Sequence, residues 1–112
     1  MSAPTHGAVV TILYKRTPDF KFDLDYFLNK HVPLVKEAWK PHGLLGATVT
    51  EATPDSEYAY INAIKFKALD GWQAVLADQE KLGPLMADIP KFTNAEPVFV
   101  VGKVVEGGHI DA

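Results

Sequence analysis

The sequence of 112 residues predicts an α+β fold in which two helices cover one face of a four-stranded antiparallel sheet. Four segments are rich in β-branched and aromatic residues, and two segments carry apolar residues at the helical period. Their order along the chain is β-α-β-β-α-β, which is the ferredoxin-like arrangement. At this length we expect one domain, residues 1–112, with flexible tails at 1–7 and 107–112.

The strands are predicted from their composition and from the turns between them. The first segment, "AVVTILYK", is dominated by β-branched and large apolar residues. The turn "TPDS" at 53–56 separates the second strand from the third. The predicted strands span residues 8–15, 44–52, 57–67 and 96–107.

The first helix is predicted to begin after Asp23, a plausible N-cap residue, and to run to about Trp39. Asp25 lies in its first turn, where an acidic side chain favours the helix start. Pro41 cannot continue the helix, and Gly43 can take the positive φ of a helix end. This segment therefore predicts one amphipathic helix with both of its ends specified.

A second helix is predicted over residues 71–82, with Asp70 as its N-cap. The segment that follows, residues 83–94, contains Pro84 and Pro90. Because proline removes an amide donor and clashes with the preceding turn, we expect this segment to be irregular or to form a short helical turn.

Both faces of the predicted sheet are apolar. In the first strand Val10 and Ile12 lie on one face, and Val9 and Leu13 lie on the other. In the last strand, likewise, one face carries Val98, Val100 and Val104, and the other face carries Phe99, Val101 and Val105. A sheet with one face in water normally alternates apolar and polar residues. Since two helices cover one face only, we predict a homodimer through the other face; the alternative is a monomer with a partly exposed apolar sheet.

Composition excludes several classes of function. The net charge of −3 gives no basic surface for nucleic acid or for anionic lipid. The absence of cysteine excludes disulfides, thiol catalysis and thiolate-bound metals. No segment is typical of a signal peptide or a membrane span, so we expect a cytoplasmic protein. The sequence also contains no metal-binding spacing and no phosphate-binding loop, so we expect neither a metal nor a cofactor.

A histidine interrupts the apolar stripe of the first helix. At 3.6 residues per turn the stripe consists of Leu24, Phe27, Leu28, His31, Leu34, Val35, Ala38 and Trp39. Pro33 lacks the amide that would bond the carbonyl of Asn29, so we expect the helix to open beside His31. That carbonyl would hold the imidazole as a core group or bind a water. The other interpretation is a pocket residue that performs acid/base chemistry.

Polar groups on the predicted sheet are further candidates for a site. Tyr14 ends the first strand, and Tyr58, Tyr60 and Asn62 share one face of the third. A carboxamide in an apolar strand needs partners, which a site or a dimer contact would supply.

The positions of the two tryptophans and the remaining histidines indicate structural roles for most of them. Trp39 and Trp72 fit either the core or the wall of an apolar cavity. His42 fits a capping interaction at the C-terminal end of the first helix better than the role of a ligand. His6 and His109 fall in the predicted tails and receive no role.

The segments "TILYKRTPDFKFDLDYFLNKHVPLV" (11–35) and "PHGLLGATV" (41–49) resemble the EthD family of small proteins. The matching features are a strand that ends in Tyr, a D-x-x-Y helix start, K-H-x-P-L inside the helix, and G-L before the next strand. In this chain they are Tyr14, Asp23, Tyr26, Lys30, His31, Pro33, Leu34, Gly43 and Leu44. The segment "PVFVVGKVV" (97–105) resembles the closing strand.

The resemblance implies a dimeric α+β barrel, in agreement with the two apolar faces of the sheet. Relatives on this barrel include cofactor-free oxygenases, polyketide cyclases, aromatic decarboxylases and lactone isomerases. They use a pocket between sheet and helices, often with a His and a Tyr, Asn or Trp, which supports His31 as a pocket residue.

These features lead to three hypotheses. The first is a cofactor-independent enzyme, an oxidoreductase or lyase, that acts on a hydrophobic ring-containing metabolite. His31, Tyr14 and Asn62 would then be catalytic, and Phe27, Trp39, Tyr60 and Trp72 would bind the substrate. The second is a non-catalytic carrier or accessory subunit, and the third is a structural dimer without a pocket. The first two require an apolar cavity that reaches His31, with a volume of roughly a few hundred Å³.

Overall fold

A computed structural model of the protein describes residues 7–112; the predicted tail residues 1–6 lie outside the described part. It contains a four-stranded antiparallel sheet in the order β2-β3-β1-β4, which confirms the predicted architecture. The strands are β1 (Ala8–Lys15), β2 (Leu44–Glu51), β3 (Tyr58–Phe66) and β4 (Pro97–Lys103). The prediction placed the end of β4 too late, because the last paired residue is Lys103.

The first helical segment is continuous, but the type of helix changes along it. It comprises α1 (Leu24–Tyr26), a π-helical turn (Phe27–His31), α2 (Val32–Trp39) and a 3-10 turn (Lys40–His42). Asp23 caps its start as predicted, since its carboxylate accepts the Tyr26 amide at 3.0 Å. Its end is also as predicted, because Gly43 adopts a left-handed φ of 95°.

The π-helical turn lies directly before Pro33, where the sequence predicts a local opening. Here the amide of Val32 donates to the carbonyl of Phe27, five residues earlier. The buried residues Phe27, His31 and Trp39 are separated by multiples of four residues. A wider turn offsets part of the drift that this spacing causes in a helix of 3.6 residues per turn.

The prediction that Leu28 and Leu34 face the sheet is wrong. Their side chains are 43% and 48% exposed. Because the π-helical turn shifts the phase of the helix, Val32 and Val35 lie closer to the core than these two leucines do.

The second helical segment differs from its prediction. It contains α3 (Leu69–Ala77), α4 (Gln79–Asp88) and a 3-10 turn (Ile89–Lys91). Asp70 is not the N-cap residue: Ala68 has that position, and Asp70 lies in the first turn, where its charge favours the helix dipole.

Helix α4 occupies much of the segment that the sequence predicts to be irregular. It continues through Pro84 to Asp88. Leu82, Leu85 and Asp88 recur every third residue and are all buried. We attribute the persistence of the helix to the burial of these side chains. Their burial offsets the backbone hydrogen bond that Pro84 cannot donate and the clash of its ring with the preceding turn.

A hydrogen bond joins the break between α3 and α4 to the end of the first helical segment. His42 Nε2 lies 3.0 Å from Asp78 Oδ2, and Asp78 has a non-helical backbone conformation. The predicted role of His42 as a cap of its own helix is therefore wrong: its ring contacts the next helical segment instead. The hydrogen bond from His42 holds the pKa of Asp78 below its ordinary value.

Replacing His42 with alanine should lower the thermal midpoint of unfolding by a few degrees at pH 7, because this hydrogen bond is lost. A carboxyl whose pKa is lowered by folding contributes stability above its unfolded pKa of about 4, and that contribution disappears as the pH falls. The difference between the two proteins should therefore shrink at pH 3. Thermal unfolding followed by circular dichroism at both pH values tests this, and an equal difference at pH 3 would contradict it.

The helices cover only one face of the sheet. Val10, Ile12 and Tyr14 of β1 pack with Phe27 and the other helical core residues. On the outer face the half-buried residues Val9, Leu13 and Ile61 lie beside Val98 and Val100, which are 40% and 55% exposed. The predicted second apolar face is thus present, and no helix within residues 7–112 covers it.

The rest of the described chain adds little to the architecture. Residues 104–112, which include the predicted tail at 107–112, contain no helix or strand. No helix within residues 7–112 has the length and hydropathy of a membrane span.

Candidate functional site

The imidazole of His31 is buried and bonded to a carboxylate. Its Nδ1 lies 2.9 Å from Oδ2 of Asp88, and the two residues are 6% and 5% exposed. The sequence predicted a backbone carbonyl as one possible partner of His31, and that prediction is wrong. Asp88 on α4, which sequence reasoning missed, occupies this position.

The ring of His31 is held between two aromatic side chains. Its centroid lies 5.6 Å from that of Phe27, with the rings stacked, and 4.6 Å from that of Phe92. The carboxylate and the two rings together restrict the imidazole to one orientation. Such restriction is what a positioned acid/base group requires.

Asp88 has three polar partners. Besides His31, the hydroxyl of Tyr26 donates to Oδ1 at 2.8 Å, and Nζ of Lys91 lies 3.7 Å from Oδ1. Burial alone would raise the pKa of this carboxyl, but the hydrogen bonds from His31 and Tyr26, with the charges of His31 and Lys91, hold its pKa below the ordinary value. Asp88 is therefore an ionised acceptor at neutral pH.

This arrangement fixes the tautomer of His31. The carboxylate of Asp88 only accepts hydrogen bonds, so the Nδ1 of a neutral imidazole carries the proton. Nε2 then holds the free lone pair, and it forms no hydrogen bond within residues 7–112. When the imidazole is neutral, the dyad presents an unprotonated nitrogen on the side of the ring away from Asp88.

His31 lines a cavity between the sheet and the helices. The cavity has a volume of about 70 Å³ and an almost wholly apolar lining, to which β1, β3, α2 and α4 contribute. The volume is well below the few hundred Å³ that the enzyme and carrier hypotheses require, so this cavity alone does not meet that expectation. It exceeds the roughly 10–15 Å³ that a single water needs.

Five of the predicted site residues meet at this cavity. They are Tyr14, Phe27, His31, Trp39 and Asn62, which come from two strands and from the first helical segment. Burial raises the pKa of the Tyr14 hydroxyl, so it remains a protonated donor at neutral pH.

Two buried polar atoms at the cavity have no partner. Nε1 of Trp39 and Oδ1 of Asn62 are inaccessible and form no hydrogen bond within residues 7–112. Leaving such a group unsatisfied costs about 1–3 kcal/mol. Since both residues line the cavity, a ligand with complementary polar groups would satisfy them.

The other two predicted binding residues lie outside the cavity lining. The ring of Tyr60 lies 4.4 Å from that of Phe22, centroid to centroid, near the end of the sheet. Trp72 packs edge-on against Trp39 at 5.4 Å and stacks with Phe99 at 5.9 Å, within the core.

Residues 7–112 contain no cluster of three or more His, Asp or Glu side chains that could hold a metal ion. The side chains at the cavity supply one oriented imidazole, one phenol, one indole N–H and one carboxamide.

Comparison with solved structures identifies the fold. An EthD-like protein from Ralstonia eutropha JMP134 matches with a TM-score of 0.74 and 20% identity, over 89% of this chain and 94% of that chain. An ethyl tert-butyl ether D (EthD) family protein from Bacillus halodurans C-125 matches with a TM-score of 0.64 and 18% identity, over 86% and 96%. This chain has the EthD-like fold.

The EthD-like fold extends to a protein described as an enzyme. SnoaB from Streptomyces nogalater, a cofactor-independent oxygenase, matches with a TM-score of 0.55 and 14% identity, over 84% of this chain and 91% of that chain. No family model and no curated protein sequence matches the chain. The structural matches thus confirm the α+β fold of the single chain that the EthD resemblance implies.

Proposed function

We propose that this protein is a single-domain member of the EthD family and a small cofactor-independent enzyme, in which His31 is the general base. Its substrate is a hydrophobic, ring-containing metabolite. The observation that carries this proposal is the buried pair of His31 and Asp88, 2.9 Å apart, at an apolar cavity. The fold shared with SnoaB, a cofactor-independent oxygenase, supports the proposal.

The proposed reaction begins with an enolate. Nε2 of His31 removes a proton from a carbon next to a carbonyl group, and the electron pair of the C–H bond moves onto the carbonyl oxygen. Asp88 stabilises the resulting imidazolium through Nδ1. In an oxygenase the enolate carbon then forms a C–O bond to dioxygen, which is the oxidant. The resulting peroxide takes the proton of the imidazolium, and loss of water from the hydroperoxide leaves a carbonyl group at that carbon. In a decarboxylase Nε2 instead takes the proton of the carboxyl group. The C–C bond then breaks to release CO₂ and leaves its electron pair as the enolate, and the imidazolium returns the proton to carbon.

Donors around the cavity would stabilise the enolate oxygen. Tyr14 supplies a phenol that stays protonated, and Trp39 supplies an indole N–H without another partner. The amide nitrogen of Asn62 can also donate, whereas its unpaired oxygen accepts and would bind a donor group of the substrate. Hydrogen bonds of this kind in a water-excluded site lower the barrier by about 3 kcal/mol each, judged from the loss of single oxyanion donors in other enzymes.

A non-catalytic carrier or accessory subunit is the alternative function. The unpaired atoms of Trp39 and Asn62 favour ligand binding in either case. A carrier would need no proton transfer, so its ligand would leave the protein unchanged.

Turnover separates these two functions. The purified protein and its His31→Ala variant are incubated with an anthrone in air, and separately with an aromatic β-keto acid under nitrogen. The products are identified by mass spectrometry. Conversion by the wild type, lost in the variant, supports the enzyme; binding of both compounds without conversion supports the carrier.

We also propose that two copies of the chain form a homodimer through their outer sheet faces. The apolar residues there, Val9, Leu13, Ile61, Val98 and Val100, lie side by side across three strands. Packing two such faces against each other would remove them from water. The fold shared with EthD-like proteins agrees with this assembly, which the family resemblance implies.

Replacing Ile61 with lysine should convert the dimer to a monomer, because each interface would then bury two unpaired charges. Light scattering after size exclusion should give twice the mass of one chain for the wild type and the mass of one chain for the variant. Gln73→Lys adds the same charge on the exposed side of α3 and should leave the dimer intact. An unchanged mass for Ile61→Lys would contradict the proposed interface.

A further inference from the structure

A second apolar space lies beside the cavity of His31. It is an open groove of about 400 Å³ between α2 and the edge strand β2. Val35, Leu44 and Ala47 contribute to its apolar lining, and Lys36 and Lys40 are its charged residues. The groove therefore combines an apolar surface with cationic groups of one helix face.

The groove and the cavity share part of their walls. Val32, Val35, Ala47 and Ile64 line both spaces. The cavity alone, at about 70 Å³, is too small for a substituted ring. Together the two spaces reach the range of roughly 300–1,000 Å³ that is typical of sites for small organic molecules.

The two lysines of the groove have no counter-charge. Neither the Lys36 nor the Lys40 ammonium forms a hydrogen bond or an ion pair within residues 7–112, and no Asp or Glu lines the groove. They stand four residues apart, so they are neighbours on one helix face and repel each other. In a chain with a net charge of −3 this is a local positive site above an apolar surface.

We propose that this groove binds the acidic end of the substrate, which is an aromatic organic acid. Its carboxylate lies between Lys36 and Lys40, its ring occupies the apolar groove, and its reactive end enters the cavity past Val35 and Ala47. Placement of the reactive end rests on the proposed function of His31. Binding of the carboxylate and the ring does not depend on that function, because His31 is not part of the groove lining.

The test uses two probes of similar size, 2-naphthoate and 2-naphthamide, and isothermal titration calorimetry. The wild type should bind the naphthoate about fivefold more tightly than the amide, which is about 1 kcal/mol for the two exposed ion pairs together. Lys36→Gln combined with Lys40→Gln should abolish this preference. Added salt should reduce it in the wild type, because screening weakens exposed charge pairs.

The matched control is Lys30→Gln, which removes an exposed lysine of the same helical segment outside the groove. It should keep the full preference for naphthoate. Ala47→Phe, which adds a ring at the shared wall on an edge strand, should weaken the binding of both probes.

Three results would overturn the proposal: equal affinity for both probes, a preference that survives the double lysine change, or no binding of either probe. The last result is also expected if a second copy of the chain covers the groove. Lysine-dependent binding without turnover of any candidate substrate would reject the proposed function alone. Turnover without the lysine-dependent preference would reject the groove proposal alone.

Discussion

Replacing His31 with alanine should lower kcat for an anthrone or an aromatic β-keto acid by about 10²–10⁴-fold, the usual contribution of a positioned general base. The variant keeps the cavity and its donors Tyr14 and Trp39, so substrate binding should change much less than kcat. Steady-state rates over a range of substrate concentrations separate the two effects.

His31→Asn tests whether the activity loss of His31→Ala is only a consequence of lost structure. Its amide can still donate to Asp88 but cannot take up a proton, so it should lose as much activity as His31→Ala while retaining more stability. His42→Ala is the matched control, because it also removes an imidazole that is bonded to an aspartate but lies outside the cavity lining. It should keep kcat within about twofold of the wild type. Unchanged turnover by either His31 variant would remove His31 from the mechanism.

The sheet could be predicted because its signals are local. The first strand was predicted at 8–15 and is found at Ala8–Lys15, since its apolar and β-branched residues satisfy both faces of a central strand. The start and the end of the first helical segment were also predicted correctly. Asp23 and Gly43 specify them through short-range backbone contacts.

The buried orientation of His31 was predictable, whereas its partner was not. The helical period alone turns the ring towards the sheet. Asp88 is 57 residues away along the chain, and a contact of that range depends on how the two helical segments pack. The prolines of residues 83–94 predict an irregular segment. An irregular segment has no defined helix face on which a partner of His31 could be placed.

One signal for Asp88 is nevertheless present in the sequence. Leu82, Leu85 and Asp88 follow each other at three-residue spacing, which places the carboxylate on the same helix face as two apolar residues. An acidic residue on an apolar face needs a cationic or hydrogen-bonding partner. The three-residue spacing therefore indicates a helix that continues past Pro84 and carries a buried carboxylate at Asp88.

Replacing Asp88 with asparagine should reduce both stability and activity. The carboxylate accepts charge-assisted hydrogen bonds from His31 and Tyr26, and an amide has only one accepting oxygen; we expect a loss of about 1–3 kcal/mol at pH 7. An amide can also donate to Nδ1, so it no longer fixes the tautomer with a free Nε2. The value of kcat should fall by at least about tenfold.

Two further measurements test whether loss of the carboxylate causes the effects of Asp88→Asn: the pH dependence of stability and a second variant. Because the pKa of Asp88 is lowered in the folded protein, its contribution is complete above about pH 4 and is lost as the pH falls through the folded pKa. Urea unfolding should therefore show a difference between wild type and Asp88→Asn that is large at pH 7 and small at pH 2.5. Tyr26→Phe removes one bond to Asp88 but leaves the carboxylate on His31, so it should lose stability and keep most of kcat. If Tyr26→Phe and Asp88→Asn reduced kcat equally, Asp88 would serve the packing of α4 and not the positioning of the base.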